Sequence, residues 1–217
     1  MHLSNLVRAF GAAACALLTT SGLAHADGLV QEPGTIEVRL RGLTVIPEVS
    51  STISAIGGHA DVSTTEVPEI DGTYFLTQNW ALELIAAVAQ HDVHARNTAI
   101  GDVDLGSAWL LPPTLTLQYH YQALPTLDLY AGAGINYTFF LGPSLPSNGP
   151  VKSISYDNNV GGALQAGFDF ALSDRWVLNL DVKQLFLNTT VRLNGGAIKA
   201  DVDLNPTLIG VGVGYRF

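Results

Sequence analysis

Apolar and polar residues alternate along most of this chain with a period of two. In "TIEVRL", Ile36, Val38 and Leu40 fall on one side and Glu37, Arg39 and Arg41 on the other. In "WALELIAAV", Trp80, Leu82, Leu84, Ala86 and Val88 oppose Ala81, Glu83, Ile85 and Ala87. In "TLTLQYHYQ", Leu115, Leu117, Tyr119 and Tyr121 oppose Thr116, Gln118 and His120. Residues 127–140, 161–172, 176–187 and 206–217 behave alike, and 67–76 follows the pattern more weakly. Successive side chains of a strand point to opposite faces, so this period predicts eight strands.

The connections between these segments come in two lengths that take turns. Short ones lie at Thr77-Gln78-Asn79, at 124–126 and at Ser173-Asp174-Arg175, and long ones cover 46–66, 89–113, 141–159 and 188–203. All long loops would then emerge at one end of an up-and-down sheet. Alternating segments of about ten residues, an even strand count and one-sided long loops predict an all-β protein, an eight-stranded antiparallel up-and-down transmembrane β-barrel. A soluble eight-stranded barrel also alternates, but it turns the apolar side inward. Two features favour the inverted arrangement. The polar side is sparse and mixed with glycine and alanine, which suits a narrow lumen. The apolar side ends in aromatics near the short turns (Trp80, Tyr119, Tyr121, Phe168, Phe170, Trp176, Tyr215, Phe217), as an interfacial girdle requires.

The first stretch does not belong to the barrel. Arg8, an apolar run over 9–18 and Ala24-His25-Ala26 predict a signal peptide over residues 1–26, leaving the barrel to 27–217. The single cysteine, Cys15, lies in that run, and Ala12 stands where a lipoprotein signal wants leucine. The mature chain would therefore have no disulfide and no thiolate chemistry. No later stretch reaches the about 18 apolar residues of a membrane helix. Net charge is −9 with no lysine–arginine cluster, which argues against nucleic acid as a partner.

Several segments resemble a known family. "LPPTLTLQYHY" (residues 111–121), "YAGAGINYTFF" (130–140), "GVGYRF" (212–217), "TQNWALELIAA" (77–87) and "DVKQLFLNTTV" (181–191) resemble the OmpW family of outer-membrane proteins. The resemblance implies an eight-stranded barrel around a narrow hydrophobic channel in a Gram-negative outer membrane. It implies passage of small hydrophobic molecules, with one branch assisting alkane uptake. A final strand ending in Phe217 looks like the signal read by the outer-membrane barrel assembly machinery. The expected partners are that machinery, outer-membrane lipids and lipopolysaccharide, and a small hydrophobic ligand; barrel closure demands no second copy, so a monomer is expected.

With the apolar sets facing lipid, the remaining residues line the lumen. Glu37, Arg39, Glu83, His120, Asp169, Asn179, Asp181 and Arg216 fall in the half nearest the short turns, and Arg41, Asp71, Gln118, Gln165 and Lys183 near mid-height. Eight strands leave an interior just filled by side chains, and buried charges must pair, so this set predicts a salt-bridged plug closing the periplasmic half. In the half nearest the long loops, Leu43, Val45, Ile85, Ala87, Ala89, Leu185, Leu187 and Leu208 point inward and predict an apolar cavity, or packing against the loops. Pro68, Pro112, Pro113 and Pro206 fall near the outer strand ends. Proline removes a ladder donor, so Pro112, Pro113 and Pro206 mark a candidate lateral opening, whereas Pro68 is read as a strand end.

Other motifs carry less. His91-Asp92-Val93-His94 lacks a third ligand, and Asp102-Val103-Asp104 is too short for a calcium loop, so neither a metal nor a cofactor is expected. The glycines of Gly132-Ala133-Gly134 and Gly210-Val211-Gly212 lack a following helix and are read as close approach inside a narrow barrel. Ser107, His91 and Asp92 are the one set that an enzymatic barrel could use, and nothing fixes their geometry; no enzyme activity is expected. A structural, adhesive or stress-related barrel without transport is the alternative function.

Overall fold

The computed structural model describes residue 29 and residues 31–53, 57–146 and 151–217. The signal peptide expected over 1–26 lies outside the described residues. Among them the first strands are β1 (Ile36–Ile46), β2 (Ser50–Ile53), β3 (His59–Val62), β4 (Thr65–Phe75), β5 (Trp80–Ala87), β6 (Ala89–Thr98), β7 (Gly101–Leu111) and β8 (Thr114–Leu124). They continue with β9 (Leu127–Ser144), β10 (Ile154–Tyr156), β11 (Asn159–Ala171), β12 (Trp176–Phe186), β13 (Asn188–Leu193), β14 (Ile198–Asp203) and β15 (Thr207–Arg216).

Eight of these strands close a cylinder in the order β1, β4, β5, β8, β9, β11, β12, β15, every neighbour antiparallel. Closure runs from Glu37↔Arg216 to Ile46↔Thr207 between β1 and β15. Hydrocarbon cannot satisfy a free strand edge, so a lipid-facing sheet must end on itself. The short turns bring aromatic pairs together on the outside. Trp80 meets Tyr119 edge-on at 5.1 Å, and Trp176 meets Tyr215 at 5.0 Å. A second outer belt at the other end includes Tyr137, Phe139, Trp109 and Phe186.

The segments expected as long loops are instead continuations of the wall. The β12–β15 ladder stops at Gln184↔Thr207, and β13–β14 resumes in the same register at Asn188↔Asp203. The β1–β15 ladder stops at Ile46↔Thr207, and β2–β14 resumes at Ser50↔Asp203. The β5–β8 ladder stops at Ile85↔Thr114, and β6–β7 resumes at Ala89↔Leu110. Strand β9 runs through unbroken and pairs with β8 and then β7. The upper wall forms two blades, β10-β13-β14-β2 and β3-β6-β7 with the end of β9. Side chains bridge the edges between blades: Phe140 N donates to Asn158 Oδ1 at 3.1 Å, and Ala60 N to Ser51 Oγ at 2.6 Å.

These continuations escape a reading by alternation because their chemistry is reversed. Along β12 and β13 the buried side is Val177, Asn179, Asp181, Lys183, Leu185, Leu187, Thr189, Val191 and Leu193. The outward side is Leu178, Leu180, Val182, Gln184, Phe186, Asn188, Thr190 and Arg192. One pleat therefore passes from polar-inside to apolar-inside without changing its period. Below the change the outside meets acyl chains, and above it the outside meets water.

A lumen this narrow needs small residues on facing strands. A Cβ on Gly134 would lie 2.7 Å from Thr116 Cα, and one on Gly212 would lie 2.6 Å from Arg41 Cα. Both glycines clear room for inward side chains of the neighbouring strand, the close approach expected of them.

Candidate channel and its polar floor

All the residues assigned to the plug (Glu37, Arg39, Arg41, Asp71, Glu83, Gln118, His120, Gln165, Asp169, Asn179, Asp181, Lys183, Arg216) are buried in the lumen. Arg39 sits at their centre. Its Nε lies 2.5 Å from Glu37, one terminal nitrogen donates to Asp71 and Glu83 at 3.2 Å each, and the other to Asp169 at 3.0 Å. Arg41, one layer up, reaches Glu69 and Asp71 at 2.7 Å and Glu83 at 3.1 Å. Arg216 Nε reaches Glu37 at 2.5 Å across the closing seam. Such a layer stands because every guanidinium is shared among several carboxylates; an isolated buried charge costs several kcal/mol.

Further members join on parity that the alternation already contained. Tyr130 Oη donates to Asp181 at 2.9 Å and accepts from Asn179 at 3.0 Å, and Arg39 stands over its ring at 5.5 Å. Asp128, two residues before Tyr130, lies 2.6 Å from His120 Nδ1. Glu69, Thr73 and Thr116 are also buried there. Glu69 hid beside Pro68 in the weakest of the eight patterns, and Tyr130 hid because an aromatic reads as lipid-facing. At the very bottom, Leu29 packs with Ala171 and Val177, and Gln31 Nε2 donates to Asp128. Ligand atoms of His120, Asp128 and Asp169 lie within 4.8 Å of one another, a spacing a metal could use. Most of their bonds are committed: His120 to Asp128 and Gln118, and Asp169 to Arg39 and Asn179, while Asp128 Oδ1 has no hydrogen-bond partner.

Above this floor lies an apolar cavity. Leu43, Val45, Ile85, Ala87, Ala89, Leu185, Leu187 and Leu208 are all buried and all line it. The upper wall adds residues that were placed in loops, among them Ile53, Val62, Leu105, Val191, Leu193 and Val202. His91 also faces in. Its Nδ1 lies 2.8 Å from Ser63 O, and burial lowers its pKa, keeping the imidazole neutral. On the neighbouring blade Tyr156 stacks on Phe140 with centroids 5.3 Å apart, and burial pushes its phenol up to about 12.

The prolines fall where the wall is interrupted. Pro112 and Pro206 line the cavity; Pro113 does not. Between the β5–β8 and β6–β7 ladders, residues 86–88 carry no ladder pairing with 111–113 although the register is continuous across them; Ala86 and Ala87 still pair with β4, and Leu111 with β9. Pro112 lacks the donor that would close this stretch, whereas the missing donor of Pro113 faces β9. On the other flank the same prolines are held to β9, with Tyr137 N donating to Pro113 O and Asn136 Nδ2 to Pro112 O, both at 3.1 Å. The interruption at Pro206 is bridged, since Leu185 N donates to Pro206 O at 3.1 Å and Leu204 N to Leu187 O at 2.9 Å. Pro68 pairs with Gly42 inside the β1–β4 ladder and is not the strand end it was read as.

The structure does not bring His91, Asp92 and Ser107 together as one set. His91 points inward and Asp92 outward, while Ser107 Oγ accepts from Gln90. His94 turns away from His91 and lies 3.7 Å from Asp104.

A closed eight-stranded barrel with a lipid-facing apolar exterior, a charged core and an apolar outer cavity defines an outer-membrane β-barrel. The family model described as the OmpW family matches residues 32–217, and the chain belongs to that family. The outer-membrane protein y4mB of Sinorhizobium fredii is 39% identical over 214 residues, covering 96% of this chain and 91% of that one. The crystal structure of the outer membrane protein OprG from Pseudomonas aeruginosa superposes with a TM-score of 0.80 at 30% identity, covering 88% of this chain and 99% of that one. The "dibenzothiophene metabolism operon protein PahQ" of Pseudomonas aeruginosa is 29% identical over 163 residues, 74% of this chain and 76% of that one.

Proposed function

We propose that the barrel admits small hydrophobic molecules from outside and releases them sideways into the bilayer. The observation that carries this reading is the apolar cavity standing on a charged floor. Apolar surface leaving water drives entry, at about 25 cal/mol per Å² buried. The salt-bridged layer beneath offers such a guest no onward path, because breaking it would leave charges unpaired. The unpaired stretch between residues 86–88 and 111–113 is the exit, and it opens at a level where Leu84 and Val88 face the lipid. The name of the relative PahQ, which places it in dibenzothiophene metabolism, supports a hydrophobic cargo.

The test is hydrocarbon uptake by cells with and without the protein. Changing Leu185 and Leu187 together to aspartate should bring uptake down to the level of cells lacking the barrel. Pro112→Ala with Pro113→Ala, which restores one donor toward β5 and one toward β9, should slow uptake while the barrel still inserts. Full uptake by the first variant would remove the cavity from the mechanism, and full uptake by the second would remove the lateral exit. A structural or adhesive barrel predicts indifference to both.

A further inference from the structure

Lysine and arginine fall in three places among the described residues. Arg39, Arg41, Lys183 and Arg216 are buried in the floor, and Arg96, Lys152, Arg192 and Lys199 stand at the outer end. Arg175 is alone on the outside at the short turns. The other two short turns, Thr77-Gln78-Asn79 and 124–126, carry no charge.

Two aromatic pairs at this end therefore differ in one respect. Trp80–Tyr119 and Trp176–Tyr215 have nearly the same geometry, edge-on with centroids 5.1 and 5.0 Å apart. Only the second has a cation. Arg175 Nη1 donates to Tyr215 Oη at 3.2 Å, so the hydroxyl's own proton points elsewhere, and no acceptor among the described residues takes it. Asp174, next to Arg175 on the same turn, is exposed and forms no salt bridge with it. One step up the wall, Leu178 pairs with Val213 across the β12–β15 ladder, and both are exposed to lipid.

A phospholipid head meets this arrangement. Phosphate oxygens accept charge-assisted bonds from a guanidinium, and one of them can also accept the Tyr215 proton. The rest of the head decides the fit. A net anionic head gains Arg175 but also faces Asp174. A choline head carries its cation without an N–H and cannot donate to Asp174. An ethanolamine head sets an ammonium with three donors beside its phosphate and so complements both charges of the turn.

We propose that this corner of the barrel docks phosphatidylethanolamine from the leaflet at the short-turn end. The phosphate lies on Arg175 and the Tyr215 hydroxyl, the ammonium on Asp174, and an acyl chain along Leu178 and Val213. The test is tryptophan quenching in vesicles that hold a fixed mole fraction of one brominated phospholipid in unbrominated lipid. Changing Trp80 and Trp109 to phenylalanine leaves Trp176 as the reporter; a second chain keeps Trp80 alone as the reference position. Brominated phosphatidylethanolamine should associate at Trp176 about threefold more strongly than phosphatidylcholine or phosphatidylglycerol of the same chains, the worth of one exposed ion pair. Trp80 should be quenched alike by all three. Asp174→Asn should erase the advantage over phosphatidylcholine and make phosphatidylglycerol the strongest quencher of Trp176. Arg175→Gln should lower the preference and, with Asp174 still present, make phosphatidylglycerol the weakest. Equal quenching of Trp176 by the three lipids, strongest quenching by phosphatidylglycerol in the unaltered turn, or the same preference at Trp80 overturns the site.

Discussion

The lower and upper halves of this barrel share strands, register and pleat, yet they solve opposite problems. The lower half puts Leu117 outside, 43% exposed, and Gln118 inside, fully buried. The upper half puts Val191 and Val202 inside while Thr190, Asp201 and Asp203 face out. Solvent accounts for the reversal. Acyl chains require an apolar exterior, and a cylinder of eight strands then takes its polar residues inside, where they must pair. Above the lipid the exterior meets water, so the polar face turns out and the lumen becomes apolar. The plane where the two regimes meet holds the floor of the cavity, so the site follows from the change of surroundings itself.

The largest expected effect comes from breaking the lower half. Arg39→Met leaves Glu37, Asp71, Glu83 and Asp169 short of their shared cation. It should destabilise the barrel by about 3–5 kcal/mol in urea-dependent folding into vesicles. The next sharpens the contrast between exteriors. Leu117→Lys, on the lipid face, should cost about 2–4 kcal/mol in the same assay, whereas Thr190→Lys, in the water-facing blade, should cost nearly nothing.

A smaller effect is expected from pH in the upper half. Burial lowers the pKa of His91 in the closed wall, so the opened form binds the proton more readily. The stability of the closed form is therefore complete above the ordinary histidine pKa of about 6.5 and declines as pH falls below it. The protection factors of the β3 and β6 amides, which correct for the slowing of intrinsic exchange in acid, should fall on acidification, and His91→Gln should remove that dependence. Smallest of all is Asp157→Asn, which breaks an exposed pair with Arg192. Its thermal stability should match that of the unaltered barrel, as surface pairs contribute little.

The two halves were also unequally legible in sequence. In "WVLNLDVKQLFL" the contrast of leucine and valine against Asn179, Asp181 and Lys183 reads directly as a lipid-facing strand with a polar lumen. The same parity gives every plug residue its side. In "AQHDVHARNT" the alternation is weaker, histidine and asparagine among short apolar residues resemble a loop, and the buried residues are only Ala89, His91, Ala95 and Thr98. The interruptions at residues 47–49, 112–113 and 204–206 strengthened that impression, each containing proline. Position along the strand was readable, but the partners were not. Arg39 meets Asp169 across 130 residues, and only the closed cylinder brings them together.

One pleat reverses its chemistry at a single level. Nitroxide labels placed singly at Leu178, Val182, Asn188, Thr190 and Arg192, all on the outward side of β12 and β13, test it directly. Collisions with oxygen dissolved in lipid are expected at Leu178 and Val182, and with a water-soluble nickel chelate at Asn188, Thr190 and Arg192. Lipid-like collisions along the whole series, or water-like collisions at Val182, would contradict it.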